Sequence, residues 1–173
     1  MSIKVFSFDK LNSNSGFIKD VISSVVISKD NKFLVSSSWD KSIKVFDFDT
    51  KHEIYHFKDA HDGLFFPSFA NNLLIDRIHS ITISHDSRFI VSASADKMIK
   101  IFDIFTEEEI DRFSNLRSGT ITSLAISSDD RYIIYGCENR SIKIVDYKTK
   151  QQVHIIKKAH KGIFFFEVSL PKL

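Results

Sequence analysis

The sequence contains very little cysteine, proline, glycine or tryptophan: one Cys, two Pro, five Gly and one Trp in 173 residues. A single cysteine, Cys137, excludes an intramolecular disulfide and favours a reducing compartment, so we expect a cytoplasmic protein, with the nucleus as an alternative. With so few Gly and Pro residues, Asn, Asp and Ser must form most of the turns. No run approaches the roughly 18 apolar residues of a membrane span, and the amino terminus lacks the apolar run of a secretory signal. We therefore expect neither membrane insertion nor secretion.

Excess charge of one sign is also missing. The chain carries 24 Lys and Arg against 22 Asp and Glu, and 43% hydrophobic residues, which is typical of a soluble globular protein. The opposite charges alternate along the chain and form no basic stripe, so nucleic acid is not an expected partner.

The strongest feature that is present is an internal repeat. Ile22–Asp47, Ile78–Asp103 and Ile121–Asp146 align without gaps, and their starts lie 56 and 43 residues apart. Repeats of roughly 40–45 residues are typical of β-propeller blades, which bury their faces only against neighbouring blades.

Each copy predicts four short antiparallel strands. β-Branched and aromatic runs alternate with Asp/Asn/Ser clusters, which favours strands joined by tight hairpins. The first hairpin turn recurs as Asp30-Asn31, Asp86-Ser87 and Asp129-Asp130, and Asp and Asn tolerate left-handed backbone there. Fourth strands are expected at Glu53–Phe57, Glu109–Phe113 and Gln152–Ile156. A helical turn over Thr106–Arg112 is the one local competitor, and we interpret this segment as strand.

At this level the unit resembles the WD-repeat blade of β-propellers. The matching motifs are Ser-x-Asp-x-Arg/Lys-Phe/Tyr at Ser28, Ser84 and Ser127, and a third strand of the form Ile-Lys-Val/Ile-x-Asp. Ala60-His61-Asp62-Gly63 and Ala159-His160-Lys161-Gly162 are similar to the family's Gly-His segment. The resemblance implies an all-β fold of four-stranded antiparallel blades.

The family's signature Trp is replaced in all three copies. The position that closes the third strand holds Phe46-Asp47, Phe102-Asp103 and Val145-Asp146, whereas the only Trp-Asp dipeptide, Trp39-Asp40, lies in a turn. In the family a His, a strand Ser/Thr, a turn Asp and the Trp form a hydrogen-bonded set. The resemblance gives His61 and His160 the histidine role and Asp40, Asp96 and Asn139 the turn role. Phe has no N–H to donate, so we expect more aromatic packing and a shortened network.

The repeats predict an open arc instead of a closed ring, which typically takes about 4–8 blades. Ser2–Phe6 has the same sequence as Ser42–Phe46, and Ile163–Ser169 aligns with a first strand or, alternatively, repeats the apolar insert that follows Gly63. We therefore divide the chain into a partial blade (1–20), a blade (21–61), an insert (62–77), two blades (78–117 and 118–160) and a partial blade or apolar tail (161–173). Residues 64–77 and 163–173 are either core-covering loops or apolar docking patches.

The sequence favours a non-catalytic scaffold for other proteins. No phosphate loop or catalytic triad stands outside the repeat pattern, and the seven His residues lack metal-ligand spacing, so no catalytic residue, cofactor or metal is predicted. In the resembled family, partners often bind the edge that carries the second-to-third-strand turns and the segments before each first strand. Here that edge would present Trp39, Lys41, Lys97, Arg117, Glu138 and Arg140. The alternatives are a truncated propeller without independent function and part of a propeller-based enzyme. Missing blades or a second copy of the chain are further candidate partners.

Overall fold

The computed structural model describes residues 21–61, 77–114 and 119–160, and every regular element within these ranges is a β-strand. The strands form three four-stranded sheets. In each sheet neighbouring strands are antiparallel and follow one another in the chain. The predicted all-β fold of four-stranded blades is therefore confirmed. The predicted partial blade at 1–20, the insert at 62–76 and the partial blade or tail at 161–173 lie outside the described residues.

Each sheet is one blade, numbered here in chain order. Blade 1 contains β1 (Ile22–Ile27), β2 (Phe33–Ser38), β3 (Ile43–Asp47) and β4 (Glu53–Phe57). Blade 2 contains β5 (Ile78–Ile83), β6 (Phe89–Ser94), β7 (Ile99–Asp103) and β8 (Glu108–Phe113). Blade 3 contains β9 (Ile121–Ile126), β10 (Tyr132–Cys137), β11 (Ile142–Asp146) and β12 (Gln152–Ile156). The segment in which a helical turn competed forms a turn and then β8, so the strand interpretation is confirmed.

Non-glycine residues in left-handed backbone close the hairpins. The turns between first and second strands place it at Asn31, Ser87 and Asp130, with φ of 59°, 62° and 54°. The turns between second and third strands place it at Lys41, Lys97 and Arg140, with φ of 74°, 68° and 64°. Asn, Asp, Ser, Lys and Arg thus occupy turn positions that glycine commonly takes in other proteins. The predicted first-turn role of Asn31, Ser87 and Asp130 is confirmed.

Two apolar clusters join the blades. The first lies between blades 1 and 2 and includes Val35 and Ile43 from one side and Ile90 and Phe102 from the other. The second lies between blades 2 and 3 and includes Ile99 and Phe113 from blade 2 and Ile121, Ile133 and Tyr135 from blade 3. Blade 2 is therefore covered on both faces, as the blade architecture requires.

The outer faces of the arc remain partly exposed among the described residues. Val25 and Ile27 of β1 are 59% and 46% exposed, and Ile156 of β12 is 44% exposed. Each of these side chains occupies a position that is buried at the interface between blades 1 and 2. The three described blades thus form an open arc.

The recurrent lysines of the third strands differ in burial. A strand lysine can lie along the surface and reach water, but Lys100 and Lys143 are 2% and 6% exposed. Lys100 Nζ lies 3.2 Å from Glu109 Oε2 on the neighbouring strand, and only Lys44, bonded to Glu53 at 2.8 Å, remains half exposed. A buried ammonium needs such a partner because desolvation penalises the charge.

The left-handed turns generate a prediction on stability. Asn31→Val places a β-branched side chain at φ 59°, and we expect it to destabilise the protein by about 1–2 kcal/mol, since left-handed backbone disfavours Cβ substituents. Asn31→Gly should be close to neutral. Urea unfolding measures both, and Lys29→Val, at an exposed position of the same turn with ordinary φ, is the matched control. Equal losses for Asn31→Val and Lys29→Val would contradict this account of the turn.

Candidate interaction surface

One edge of the arc is built by the same hydrogen bond in each blade. The residue that follows the second strand donates its N–H to the carbonyl of the residue that precedes the first strand: Trp39 to Val21 at 2.9 Å, Ala95 to Arg77 at 2.9 Å and Glu138 to Thr120 at 3.1 Å. This bond holds the second-to-third-strand turn beside the start of the blade. We call the edge formed by residues 39–42, 95–98 and 138–141, with Val21, Arg77 and Thr120, the rim.

The rim contains a stacked cation and aromatic ring. The Arg77 guanidinium carbon lies 4.2 Å from the Trp39 ring centroid, and burial lowers the pKa of Arg77 below its usual value. Trp39, in contact with Arg77, is half-buried. A cation over an indole face at this distance is attracted by the ring quadrupole.

The other predicted rim residues occupy defined backbone positions. Lys41, Lys97 and Arg140 are the left-handed residues of the three turns, and the carbonyls of Lys41 and Arg140 accept hydrogen bonds from Ala60 and Ala159 at 2.9 Å. The side chains of Lys97, Glu138 and Arg140 are exposed. Arg117 lies outside the described residues.

Charge continues along the rim from blade 1 to blade 3. His79 of β5 is surrounded by groups that affect its titration: burial lowers its pKa, Glu138 raises it and Arg77 lowers it. Burial prevails, so the pKa of His79 lies below its usual value and the ring is neutral at pH 7. Trp39, Arg77, His79 and Glu138 therefore lie along one edge, from blade 1 to blade 3.

Behind the rim, one buried polar set joins blades 1 and 2. His61 Nδ1 lies 2.7 Å from Asp96 Oδ2, and His61 Nε2 lies 2.8 Å from Ser92 Oγ. The side chains of His61 and Asp96 are 0% and 1% exposed. An ionised carboxylate only accepts hydrogen bonds, so Nδ1 carries the proton at this contact. Ser92 of β6 supplies the strand hydroxyl of the set that the resemblance implied.

The turn residues Asp40, Asp96 and Asn139 all stabilise their own turn through a side-chain oxygen. Their Oδ1 atoms accept the N–H of the residue two positions later: Ser42 at 2.8 Å, Met98 at 2.8 Å and Ser141 at 3.1 Å. Asn139 performs this task as well as Asp because only an acceptor oxygen is required. The replacement of Asp by Asn in blade 3 therefore leaves the turn intact.

The aspartates that close the third strands also cap turns. Oδ1 of Asp47, Asp103 and Asp146 accepts backbone N–H groups from the following turn, at 2.7 Å from Thr50, 2.8 Å from Phe105 and 2.9 Å from Thr149. Backbone hydrogen bonds from Thr50 and Thr149 hold the pKa of Asp47 and Asp146 below the usual range.

Where the resemblance placed a hydrogen-bonded Trp, blades 1 and 2 have a Phe and blade 3 has Val145. Phe102 is 4% exposed and packs on Phe57 of blade 1 with ring centroids 5.0 Å apart. Phe46, the equivalent residue of blade 1, is half-buried on the outer face, and His160 is exposed. The expected aromatic packing is therefore present between blades 1 and 2.

A family comparison agrees with this geometry. The model of the WD domain, G-beta repeat, matches residues 10–47, 75–103 and 111–146, more than half of the chain. The chain belongs to the WD-repeat family. A search of curated proteins found no match to this WD-repeat chain.

Family membership supports a coarse function. WD repeats generally mediate protein–protein scaffolding and are typically non-catalytic. Within 21–61, 77–114 and 119–160, no group of three or more His, Cys, Asp or Glu side chains could hold a metal ion. The same ranges contain no helix that is long and apolar enough to cross a membrane.

Sequence reasoning missed three residues of this WD-repeat chain. Arg77 was assigned to the insert, although its place directly before a first strand matches Val21 and Thr120 and signals a rim position. His79 was treated as one histidine of seven. Tyr135 stands at the position of Ser92 in blade 3 and is 1% exposed; burial raises its pKa to about 12. The aligned repeats already showed this Ser-to-Tyr exchange.

The buried polar set generates a prediction. His61→Ala leaves the Asp96 carboxylate buried without its ring partner, and we expect a loss of about 3–5 kcal/mol in the free energy of unfolding, as for other broken buried pairs. His160→Ala, at the equivalent but exposed position, should cost less than about 0.5 kcal/mol. Urea unfolding followed by circular dichroism measures both variants. A His61→Ala loss no larger than that of His160→Ala would contradict a structural role for the set.

Proposed function

We propose that this WD-repeat chain is a non-catalytic scaffold that binds other proteins through the rim. The observation that carries the proposal is the stacked pair of Trp39 and Arg77. Trp and Arg are the residue types most enriched at binding hot spots, and a half-buried, preordered pair loses little side-chain freedom on binding.

The charges around this pair favour a protein as the partner. Lys97 and Arg140 are exposed cations and Glu138 is an exposed anion on the same edge. Alternating charges around an aromatic centre resemble the polar border of a protein interface. A polyanion such as nucleic acid would instead favour a continuous basic stripe.

The enzyme alternative has no comparable support. The recurrent carboxylates of the blades accept turn hydrogen bonds, as Asp40, Asp47 and Asp129 do. Their recurrence therefore follows from the hairpin geometry of each blade.

The rim generates a prediction on partner binding. Trp39→Ala removes the aromatic centre. We expect the affinity for rim partners to fall roughly thirtyfold, which corresponds to about 2 kcal/mol of binding free energy, so fewer rim partners should be captured. Quantitative mass spectrometry of proteins captured by the wild type and by the variant measures the loss. Arg140→Ala should weaken recovery of the same proteins to a smaller extent.

Phe48→Ala is the matched control. Phe48 is also half-buried, and the Lys51 ammonium lies 3.9 Å from its ring, but it belongs to a third-to-fourth-strand turn at the opposite edge. Recovery that is unchanged in Trp39→Ala, or equally reduced in Phe48→Ala, would refute the assignment of the rim.

We also propose that a second copy of the chain covers the outer blade faces. The outer face of blade 1 presents Val25, Ile27, Leu34 and Phe46, which correspond in the repeat to Ile81, Ile83, Ile90 and Phe102. The outer face of blade 3 presents Ile134, Ile142, Ile144 and Ile156, which correspond to Val35, Ile43, Val45 and Phe57. These buried counterparts, from blade 2 in the first case and from blade 1 in the second, together form the cluster between blades 1 and 2. Blade 3 of one copy therefore offers blade 1 of another the same apolar contact that already joins blades 1 and 2.

This proposal predicts the oligomeric state. Two copies joined head to tail at both ends supply six described blades. Closed propellers typically have about 4–8 blades, so this number suffices for a ring. Light scattering after size exclusion should give twice the chain mass of 19.9 kDa. Ile156→Asp should give the monomer, because it places a charge in the contact.

Ile110→Asp is the control. Ile110 is 43% exposed, close to the 44% of Ile156, but it lies in blade 2, away from the proposed contact between copies. A monomeric wild type would contradict the second copy and favour coverage by further blades or by the chain itself. Aggregates would favour the truncated propeller without independent function.

A further inference from the structure

A groove opens between blades 2 and 3 at the edge opposite the rim. Its volume is about 550 Å³, and its floor is apolar, formed by Phe89 and Val91 of β6, Ile101 of β7, and Ile126, Ile133 and Tyr147 of blade 3. Phe89, Ile126 and Tyr147 are only half-buried. We call this space the 2/3 groove.

The corresponding position between blades 1 and 2 is occupied by the chain itself. Phe105, in the turn that follows β7, packs on Phe33 edge to face, with ring centroids 6.1 Å apart. The preceding residue, Ile104, is fully buried in the same interface. An aromatic side chain is therefore what this fold places on a Phe at the start of a second strand.

The repeat alignment explains why the 2/3 groove lacks such a ring. Phe89 is the equivalent of Phe33, but the equivalent of Phe105 is Lys148, which is exposed. Lys148 and Tyr147 line the groove, and the Arg88 guanidinium carbon lies 5.1 Å from the Phe89 ring centroid. Two exchanges within the repeat, Phe105 to Lys148 and Ile104 to Tyr147, therefore leave Phe89 without the partly exposed ring that packs on Phe33.

Carboxylates border the 2/3 groove. Asp86 and Asp129 accept hydrogen bonds from Ser84 and Ser127, and Asp130 accepts the backbone N–H of His85 at 2.9 Å. These neutral donors orient the carboxylates and leave their negative charge in place. The Arg131 guanidinium is bonded to Asp146 at 3.1 Å. Lys148 also lines the groove, so four carboxylates stand against two cations. The net negative charge of the border favours a cation beside the apolar floor.

We propose that the 2/3 groove binds a peptide segment of a partner protein in which an aromatic residue is flanked by Lys or Arg. The aromatic ring packs on Phe89 as Phe105 packs on Phe33, and the flanking cation contacts Asp86, Asp129 and Asp130. This surface is separate from the rim, so the WD-repeat chain holds two partners at opposite edges.

The binding test uses the full chain and a blocked pentapeptide, acetyl-Gly-Lys-Phe-Lys-Gly-amide. Titration followed by NMR should shift the backbone signals of residues 84–91, 126–133 and 146–149. Replacing the peptide Phe by Ala, or both Lys by Glu, should each weaken binding roughly tenfold or more. Equal binding of all three peptides, or shifts confined to the rim, would overturn the proposal.

Two exchange variants test the site itself. Lys148→Phe supplies the ring that blade 3 lacks and should abolish peptide binding while the protein remains as stable as the wild type. Phe105→Lys removes the ring from the interface between blades 1 and 2 and should create a second peptide site, which shifts the signals of residues 28–35. The rim variant Trp39→Ala should bind the peptide like the wild type.

The remaining outcomes also decide the question. Peptide binding retained in Lys148→Phe would overturn the groove as its site. Binding that appears only after Phe164, Phe165 and Phe166 are replaced by Ala in the full chain would identify the occupant as the chain's own carboxyl-terminal segment, and the partner proposal would fail. The capture experiment on the rim does not affect this test, because the rim and the 2/3 groove lie on opposite edges. Either proposal can therefore fail while the other holds.

Discussion

The structure depends on face-to-face burial of neighbouring sheets. A four-stranded blade has two apolar faces and can remove them from water only against the blades beside it. Blade 2 satisfies this requirement on both sides, through the cluster that contains Ile90 and Phe102 and through the cluster that contains Ile133 and Tyr135. Blades 1 and 3 satisfy it on one side among the described residues, and their other faces repeat the same apolar positions. Ring completion is thus a question of what covers two known surfaces.

The two inner interfaces meet the requirement by different chemistry. Between blades 1 and 2, His61, Asp96 and Ser92 form a buried polar set, and the rings of Phe57 and Phe102 pack beside it. Between blades 2 and 3, Tyr135 occupies the position of Ser92, and the interface is more uniformly apolar. A buried polar set fixes the register of its interface because misplacement leaves polar groups without partners. The second interface lacks this constraint at the same position, and it is also the one that contains an open groove.

The aligned sequence was sufficient to predict the strands, the hairpin turns and the replacement of the signature Trp by Phe or Val, since each of these depends on residues close together in one repeat. It was not sufficient for contacts between blades. Arg77 over Trp39 and Glu138 near His79 join residues from different repeats, so no periodicity within one copy reveals them. The burial of Lys100 has another cause: it lies in the central blade, where both faces are covered, and Glu109 of the adjacent strand in the same blade stabilises its charge. The 2/3 groove depends on the exchange of Ile104-Phe105 for Tyr147-Lys148, whose effect appears only when the facing Phe33 and Phe89 are placed.

Hydrogen exchange tests most directly whether burial between neighbouring blades stabilises the fold. Exchange is measured on the monomeric variant Ile156→Asp, so that no second copy covers the outer faces. The amides of the central strands β6 and β7 should exchange most slowly, because blade 2 is covered on both sides. Those of β2 and β3 in blade 1 and of β10 and β11 in blade 3 should exchange faster. Equally slow exchange in all three blades would show that each blade is stable without its neighbours, and would contradict the account.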